Sequence, residues 1–262
     1  MEIGADTFDV IAKSDDLMPE LVPPPNVDSR VCVVCRTWLP IGRDSELASM
    51  KGTRNECENC LEVRKALGVD PLRFAMVSLY KKPSQLRDWL TRYKGRADEE
   101  DVFEPNYVEV VRAIMGRFIV EHGRSLRETA GGFDGVIVVP STHRPPPHPL
   151  EDVLDSLSID LPQLRLLERG PGELGFRNPH PQGYQVTRSL PPCRLLLVDD
   201  VYTTGARLNS AAKALTRAGH QVNAGLVLAR RINPGYTEEA ASLWNEATST
   251  PFDWRTSPWI PT

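Results

Sequence analysis

The stretch CRLLLVDDVYTTGARLNSAAKAL, from Cys193 to Leu215, restricts the fold more than any other part of the chain. Leu195 to Val198 are continuously apolar, as expected of a strand buried on both faces of a parallel sheet. Asp199 and Asp200 then fall at the carboxyl end of that strand, where open α/β sheets bind ligands. Adjacent carboxylates repel each other and are tolerated where hydroxyl donors or a metal ion compensate them. Thr203, Thr204 and Gly205 make a turn, and Leu208, Ala211, Ala212, Leu215 and Ala218 share one face of the helix that follows. The helix start offers unpaired N–H groups and a positive dipole end, so acids and turn together suit a ligand with a diol and a phosphate. The plainer alternative is a capped turn without a ligand, since Asp and Thr also cap helices. The full combination favours the phosphate site.

Other segments alternate in the same way. FAMVSLY (Phe74–Tyr80) reads as a strand, and QLRDWLTRYK as a helix with Leu86, Trp89, Leu90 and Tyr93 on one face. A longer helix begins near Pro105, carries Tyr107, Val111, Ile114 and Phe118 on one face, and ends at Gly123. DGVIVVP (Asp134–Pro140) is a buried strand, PLEDVLDSL resumes helix, LPQLRLL adds a strand, and NAGLVLAR is a further one. This alternation predicts an α/β fold with a mostly parallel sheet and flanking helices. From Glu168 to Leu190 runs a glycine- and proline-punctuated connection bearing Arg169, Arg177 and Arg188, long enough to suggest function.

Composition sets limits around this core. The chain has 262 residues, a formal charge of −4 and 40% hydrophobic residues, enough for one α/β domain and a smaller module. The acidic balance argues against broad capture of nucleic acid. No apolar run reaches the ~18 residues of a membrane span. The first 28 residues are acidic and proline-bearing, without a leader pattern, and read as a mobile tail on a cytoplasmic chain.

Four of the five cysteines form two pairs, Cys32/Cys35 and Cys57/Cys60, each Cys-x₂-Cys, with 21 residues between them. This spacing suits a tetrahedral thiolate shell around structural Zn²⁺. A disulfide pair is the alternative, disfavoured in a reducing compartment. Four thiolates leave no open position for catalysis. Between residues 30 and 65, seven basic and five acidic side chains leave only +2, weak support for nucleic-acid contact. Cys193 reads as a bystander thiol.

LLLVDDVYTTGA resembles the phosphoribosyl-diphosphate (PRPP) signature of type I phosphoribosyltransferases. With the cysteine pairs ahead of it, the order resembles ComF-like, competence-associated proteins of that fold. SLYKKPSQLRDWLTRYKGR and GFRNPHPQGYQV are similar to further segments of that family, so the resemblance runs with gaps from Val31 to Arg230. It implies a phosphoribosyltransferase-like domain over 69–235, with a five-stranded parallel core and a flexible hood, behind a four-cysteine zinc ribbon over 29–68. Composition reads 1–28 as a mobile tail and 236–262 as an aromatic, proline-rich tail that packs its tryptophans onto the domain.

The resemblance also implies roles. Asp199 and Asp200 would bind the ribose hydroxyls, directly or through Mg²⁺. Val201, Tyr202, Thr203, Thr204, Gly205, Ala206 and Arg207 would surround the 5′-phosphate. The family has Ser or Thr where Arg207 stands, so Arg207 would either pair with the phosphate or occupy the pocket. Purine-salvage relatives carry an acid in place of Thr203, which counts against purine salvage. STHRPPPHP replaces the family's pyrophosphate loop, leaving Ser141, Thr142, His143 and Arg144 as candidate contacts, with a proline-stiffened surface loop as the alternative. Arg169 or Arg177 would close over the pyrophosphate. Lys94 is a further candidate, against a solvated helix end. The implied activity is transfer of a phosphoribosyl group to a nitrogen nucleophile with release of pyrophosphate. The alternative is a nucleotide sensor or a scaffold for DNA-uptake partners.

Overall fold

The computed structural model describes residues 1–26, 28–39, 56–95, 101–141 and 146–261. In chain order the elements are α1 (Thr7–Asp15), α2 (Glu58–Leu67), β1 (Phe74–Tyr80), α3 (Gln85–Arg92), α4 (Pro105–Thr129), β2 (Gly135–Val138), α5 (Pro149–Leu157), β3 (Leu167–Arg169), β4 (Tyr184–Val186), β5 (Arg194–Tyr202), α6 (Ala206–Arg217), β6 (Gln221–Arg231) and α7 (Glu238–Thr248). The main sheet runs β1-β6-β5-β2 and every pairing in it is parallel, while β3 and β4 form a separate antiparallel hairpin.

Side chains alternate across a strand, so each apolar run supplies two cores. Val136, Val138, Leu196, Val198, Leu226 and Leu228 face the layer containing Val111, Ile114, Met115 and Phe118 of α4. Ile137, Leu195, Leu197 and Val227 face Leu208, Ala211 and Leu215 of α6, together with the four paired cysteines. The predicted α/β architecture, with its parallel sheet, flanking helices and cysteine cluster, is therefore present. Where the resemblance implies a fifth strand, Gln163 makes one parallel bridge to Val136 within LPQLRLL. The last residue of that segment, Leu167, instead opens the β3–β4 hairpin.

Three expectations need correction. Gly123 does not end its helix, because α4 continues to Thr129. Glycine is required there for close approach: a Cβ would collide with the Met1 carbonyl oxygen. The N-terminal segment is packed rather than mobile, with Val10, Leu17 and Leu21 buried. Its acids meet α4 arginines, Asp9 to Arg112 and Asp15 to Arg117, each at 3.0 Å. Within the expected C-terminal tail, Glu238–Thr248 is a helix capped by the Thr237 side chain. The tryptophans beyond it pack as expected. Trp254 is buried, and its indole donates to the Ser14 carbonyl at 3.1 Å.

Val22 and Trp259 bond along the outer edge of β1, covering a strand edge that would otherwise be open. No helix among the described residues is long and apolar enough to cross a membrane.

Truncating Trp254 removes a buried ring that joins α1, α4 and the C-terminal segment. Trp254→Ala should lower unfolding stability by about 3–5 kcal/mol, read from the chemical-denaturation midpoint.

Candidate functional site

Asp199 and Asp200 end the buried part of β5 and are themselves buried, 2% and 1% exposed. As neighbours on a strand they point to opposite faces, so each finds its own cation. Arg207, in the first turn of α6, donates to Asp199 Oδ1 at 2.7 Å. Tyr93 donates its hydroxyl to Asp200 Oδ2 at 2.9 Å, and Lys94 forms an ion pair with the same oxygen. Lys94 thus belongs to the site rather than to a solvated helix end. Arg207, expected as a phosphate partner or as an occupant of the pocket, pairs with the Asp199 carboxylate. Asp200 Oδ1 is buried and has no hydrogen-bond partner among the described residues.

Burial dominates the Asp199 carboxyl and raises it to about 7, against the opposing charge of Arg207 and with help from Asp200. Burial also acts to raise Asp200, but the charges of Lys94, His148 and Arg207 outweigh it and hold that carboxyl well below its usual range. Burial raises the Tyr93 hydroxyl well above its usual value, and Asp200 adds to that.

The turn after the acids rests on Tyr202, whose ring stacks on Phe74 at 4.3 Å. Gly205 has φ 83°, and a side chain there would collide with the Tyr202 hydroxyl. Thr204 Oγ1 donates to the Phe176 carbonyl and accepts from Ala206 N at 3.4 Å. Phe176 belongs to the β3–β4 connection, which also contacts α6 through His180 N and Ser210 Oγ at 3.0 Å. Val201 is half-buried beside the α4-side core, and Thr203 is half-buried.

Among the described residues, Ser141 and Arg177, two of the expected pyrophosphate contacts, line different cavities. Arg177 shares a cavity of about 460 Å³ with Thr203, Thr204, Cys57, Asn59 and Arg230. Ser141 lines a different one, of about 320 Å³, with His148, Glu151, Gln163 and Arg169. Arg169 donates to the Gly183 carbonyl at 3.1 Å across its own hairpin. Thr142, His143 and Arg144 lie outside the described residues. Tyr93, His148, Phe176 and Arg230 were not foreseen as site residues. Only Arg230 left a signal, as a charge at the end of the apolar LVLAR run.

The four paired cysteines form one cluster, buried, with all four Sγ atoms within 4.8 Å of one another. Cys32 and Cys35 flank a turn closed by Arg36 N to the Cys32 carbonyl at 3.0 Å, with Arg36 at φ 57°. Cys57 sits at the N-cap of α2 without a side-chain capping bond, and Cys60 lies in its first turn. Hydrogen bonding with the Cys32 and Cys35 sulfurs, together with burial, raises both thiols above their usual value. Sulfur separations of 3.8 Å (Cys32–Cys60) and 3.5 Å (Cys35–Cys57) match the ~3.8 Å edges of a tetrahedral shell with metal–sulfur bonds of about 2.3 Å. The donor set therefore fits a metal such as zinc. Hydrogen bonds from the neighbouring thiols, with the Arg230 charge, lower the Cys35 thiol well below its usual value.

No family model matches the chain, and no curated protein matches it. Among solved structures the chain is similar to the orotate phosphoribosyltransferase from Aeropyrum pernix. The identity is 23%, over 54% of this chain and 68% of that one, with a TM-score of 0.31. A likeness of this size assigns no role to any residue.

Two outcomes follow from this geometry. Metal analysis of the purified chain should find about one zinc per chain, and Cys60→Ser should lose it. The second concerns pH. Asp199 holds its proton more tightly folded than unfolded, so the stability it supplies is complete below about pH 4 and lost as pH rises through about 7. Between those limits wild-type stability should fall, relative to Asp199→Asn, by up to about 1.4 kcal/mol per pH unit in denaturation curves.

Proposed function

We propose that the segment Asp199–Arg207 binds PRPP or a related ribose 5-phosphate. On this reading the chain is a phosphoribosyltransferase-like protein of the ComF-like kind, transferring the phosphoribosyl group to a nitrogen nucleophile with release of pyrophosphate. The observation that carries the reading is Asp200 Oδ1, a buried carboxylate oxygen with no partner among the described residues, on the strand that leads into a left-handed glycine and a helix start. A buried acceptor left unsatisfied costs about 1–3 kcal/mol, more when charged, and a ribose hydroxyl would satisfy it.

Each residue then has a task. Asp200 accepts from one ribose hydroxyl and Asp199 from the other. The amides of Thr203 to Arg207, with the Thr203 and Thr204 hydroxyls, hold the 5′-phosphate. Arg207 leaves Asp199 for the phosphate. Departure of pyrophosphate builds positive charge on the sugar and negative charge on the leaving group, so the work is positioning and charge stabilisation. Two buried carboxylates are hard oxygen donors that fit Mg²⁺, which when bound supplies positive charge to the diphosphate. The β3–β4 connection, bearing Arg177, excludes water over the turn.

A second reading is favoured by a specific observation. Arg207 holds Asp199 and the Phe176 carbonyl holds the Thr204 hydroxyl, so the site is occupied by its own chain. A ligand would open such a site without turnover, as in a nucleotide sensor.

Thermal-shift titration separates these readings. Ribose 5-phosphate, and PRPP with Mg²⁺, should both raise the Tm of the wild type, by about 2.7 kcal/mol of linkage at 100 Kd. Asp200→Asn should remove most of that shift, and no shift with any of these ligands sinks the site. Arg207→Ser should weaken binding about tenfold if Arg207 moves to the phosphate. Tighter binding by that variant, without pyrophosphate release from PRPP, supports the sensor instead.

A further inference from the structure

Arg230 lies near the end of β6, in register with Tyr202 of β5 and Leu79 of β1, and is 3% exposed. Its guanidinium makes four contacts: two with Cys35, one with Thr203 and one with Arg231 on its own strand. Nε donates to the Cys35 carbonyl at 3.0 Å, and Nη2 lies 3.7 Å from Cys35 Sγ. Nη1 donates to the Thr203 carbonyl and to the Arg231 carbonyl, both at 2.6 Å. The same group sits over the Tyr202 ring, 5.1 Å from its centroid. Tyr202 in turn fills the space beneath Gly205. One planar fork therefore spans from the first cysteine pair to the first threonine of the turn. Lysine has a single donor head and cannot hold these acceptors together.

The cysteine end of this link depends on its own closure. The Cys32–Arg36 turn includes a non-glycine residue at φ 57°, a conformation that persists only when its surroundings hold it. Metal bound to the four sulfurs would fix Cys35, and with it the carbonyl and sulfur that orient Arg230. Without metal, four thiols in van der Waals contact leave that carbonyl free to shift, and Thr203 loses a fixed donor.

We infer that Arg230 is a positioning residue through which metal occupancy of the Cys32/Cys35/Cys57/Cys60 centre sets the ligand affinity of the Thr203–Arg207 turn. The nature of the ligand rests on the phosphoribosyl reading above. The coupling is reciprocal: whatever factor the metal contributes to ligand affinity, the ligand contributes to metal affinity.

The experiment uses the full chain, loaded with zinc, and ribose 5-phosphate as the probe. Zinc affinity is measured by competition with a chromogenic chelator, with and without saturating ribose 5-phosphate. Calorimetry gives ribose 5-phosphate affinity for the zinc-loaded and the chelator-stripped chain. In the wild type, ribose 5-phosphate should tighten zinc binding about tenfold, and stripping should weaken ribose 5-phosphate binding by the same factor. Arg230→Lys should keep about one zinc per chain, bind ribose 5-phosphate about tenfold more weakly, and show no mutual effect between the two ligands. If zinc affinity in the wild type is indifferent to ribose 5-phosphate while ribose 5-phosphate still binds, the coupling is wrong and the ligand site stands. Coupling that survives in Arg230→Lys also overturns the role of this residue. No binding of ribose 5-phosphate to the zinc-loaded wild type sinks the ligand reading and the coupling together. The chelator competition on wild type needs no substituted chain, so indifference of zinc affinity to ribose 5-phosphate overturns the coupling even where Arg230→Lys fails to fold. Circular dichroism of the stripped wild type shows whether it stays folded, and coupling that appears only with its unfolding overturns the role of Arg230 as well.

Discussion

Two adjacent carboxylates at the end of a buried strand impose the main constraint on this structure. A buried carboxylate without a partner would cost several kcal/mol, and strand geometry sends the two side chains to opposite faces. Both layers of the fold must therefore contribute a cation at the same height on the sheet. The α4-side layer supplies Lys94, with the Tyr93 hydroxyl, from the end of α3. The other layer supplies Arg207 from the first turn of α6. The result is a cluster of two acids and two bases that is close to neutral, its acids buried and its bases half-buried. Burial wins at Asp199 and the cations win at Asp200, which gives the neighbouring acids unlike proton affinities.

The cysteine centre answers a similar constraint on the other face. Four thiolates around a divalent metal carry two net negative charges, which need compensation when buried. Two buried arginines stand beside them. Arg230 bonds to the Cys35 backbone, and Arg36, 4% exposed, lies over Trp259 at 4.2 Å. Trp259 is also the residue that covers the β1 edge. Cysteine module, C-terminal segment and sheet thus stabilise one another, and the centre is part of the core rather than an appendage.

Features set by local pattern were legible in the chain. The strand Leu195–Val198 and the helix after Gly205 follow from an apolar run and a 3.6-residue period, and the four-cysteine cluster follows from two short spacings. Features set by pairing at long range were not. Lys94 and Asp200 are separated by 106 residues, and nothing near either one announces the other. The N-terminal segment looked too acidic to fold because its partners, Arg112 and Arg117, lie on α4. Gly123 looked like a stop because the backbone that needs its missing side chain, at Met1, comes from the far end of the sequence. Arg207 was conspicuous in the sequence, but its choice between acid and phosphate depends on burial, which no motif encodes.

The self-occupied state has a consequence for what this site can select. On the phosphoribosyl reading, binding is an exchange: one hydroxyl fills the open Oδ1 of Asp200, the other replaces Arg207 at Asp199, and a phosphate replaces the Phe176 carbonyl at Thr204. A neutral diol would free Arg207 without giving it a counter-charge, so the exchange would be uphill. A phosphate alone would meet the freed arginine but leave Asp199 bare. Only a ligand with both groups closes the balance, because its hydroxyls satisfy the carboxylates while its phosphate takes up the displaced charge. The net gain is reduced by whatever holds the closed state together. The diol-and-phosphate specificity suggested by the bare motif would therefore be enforced by Arg207, the cation that occupies it.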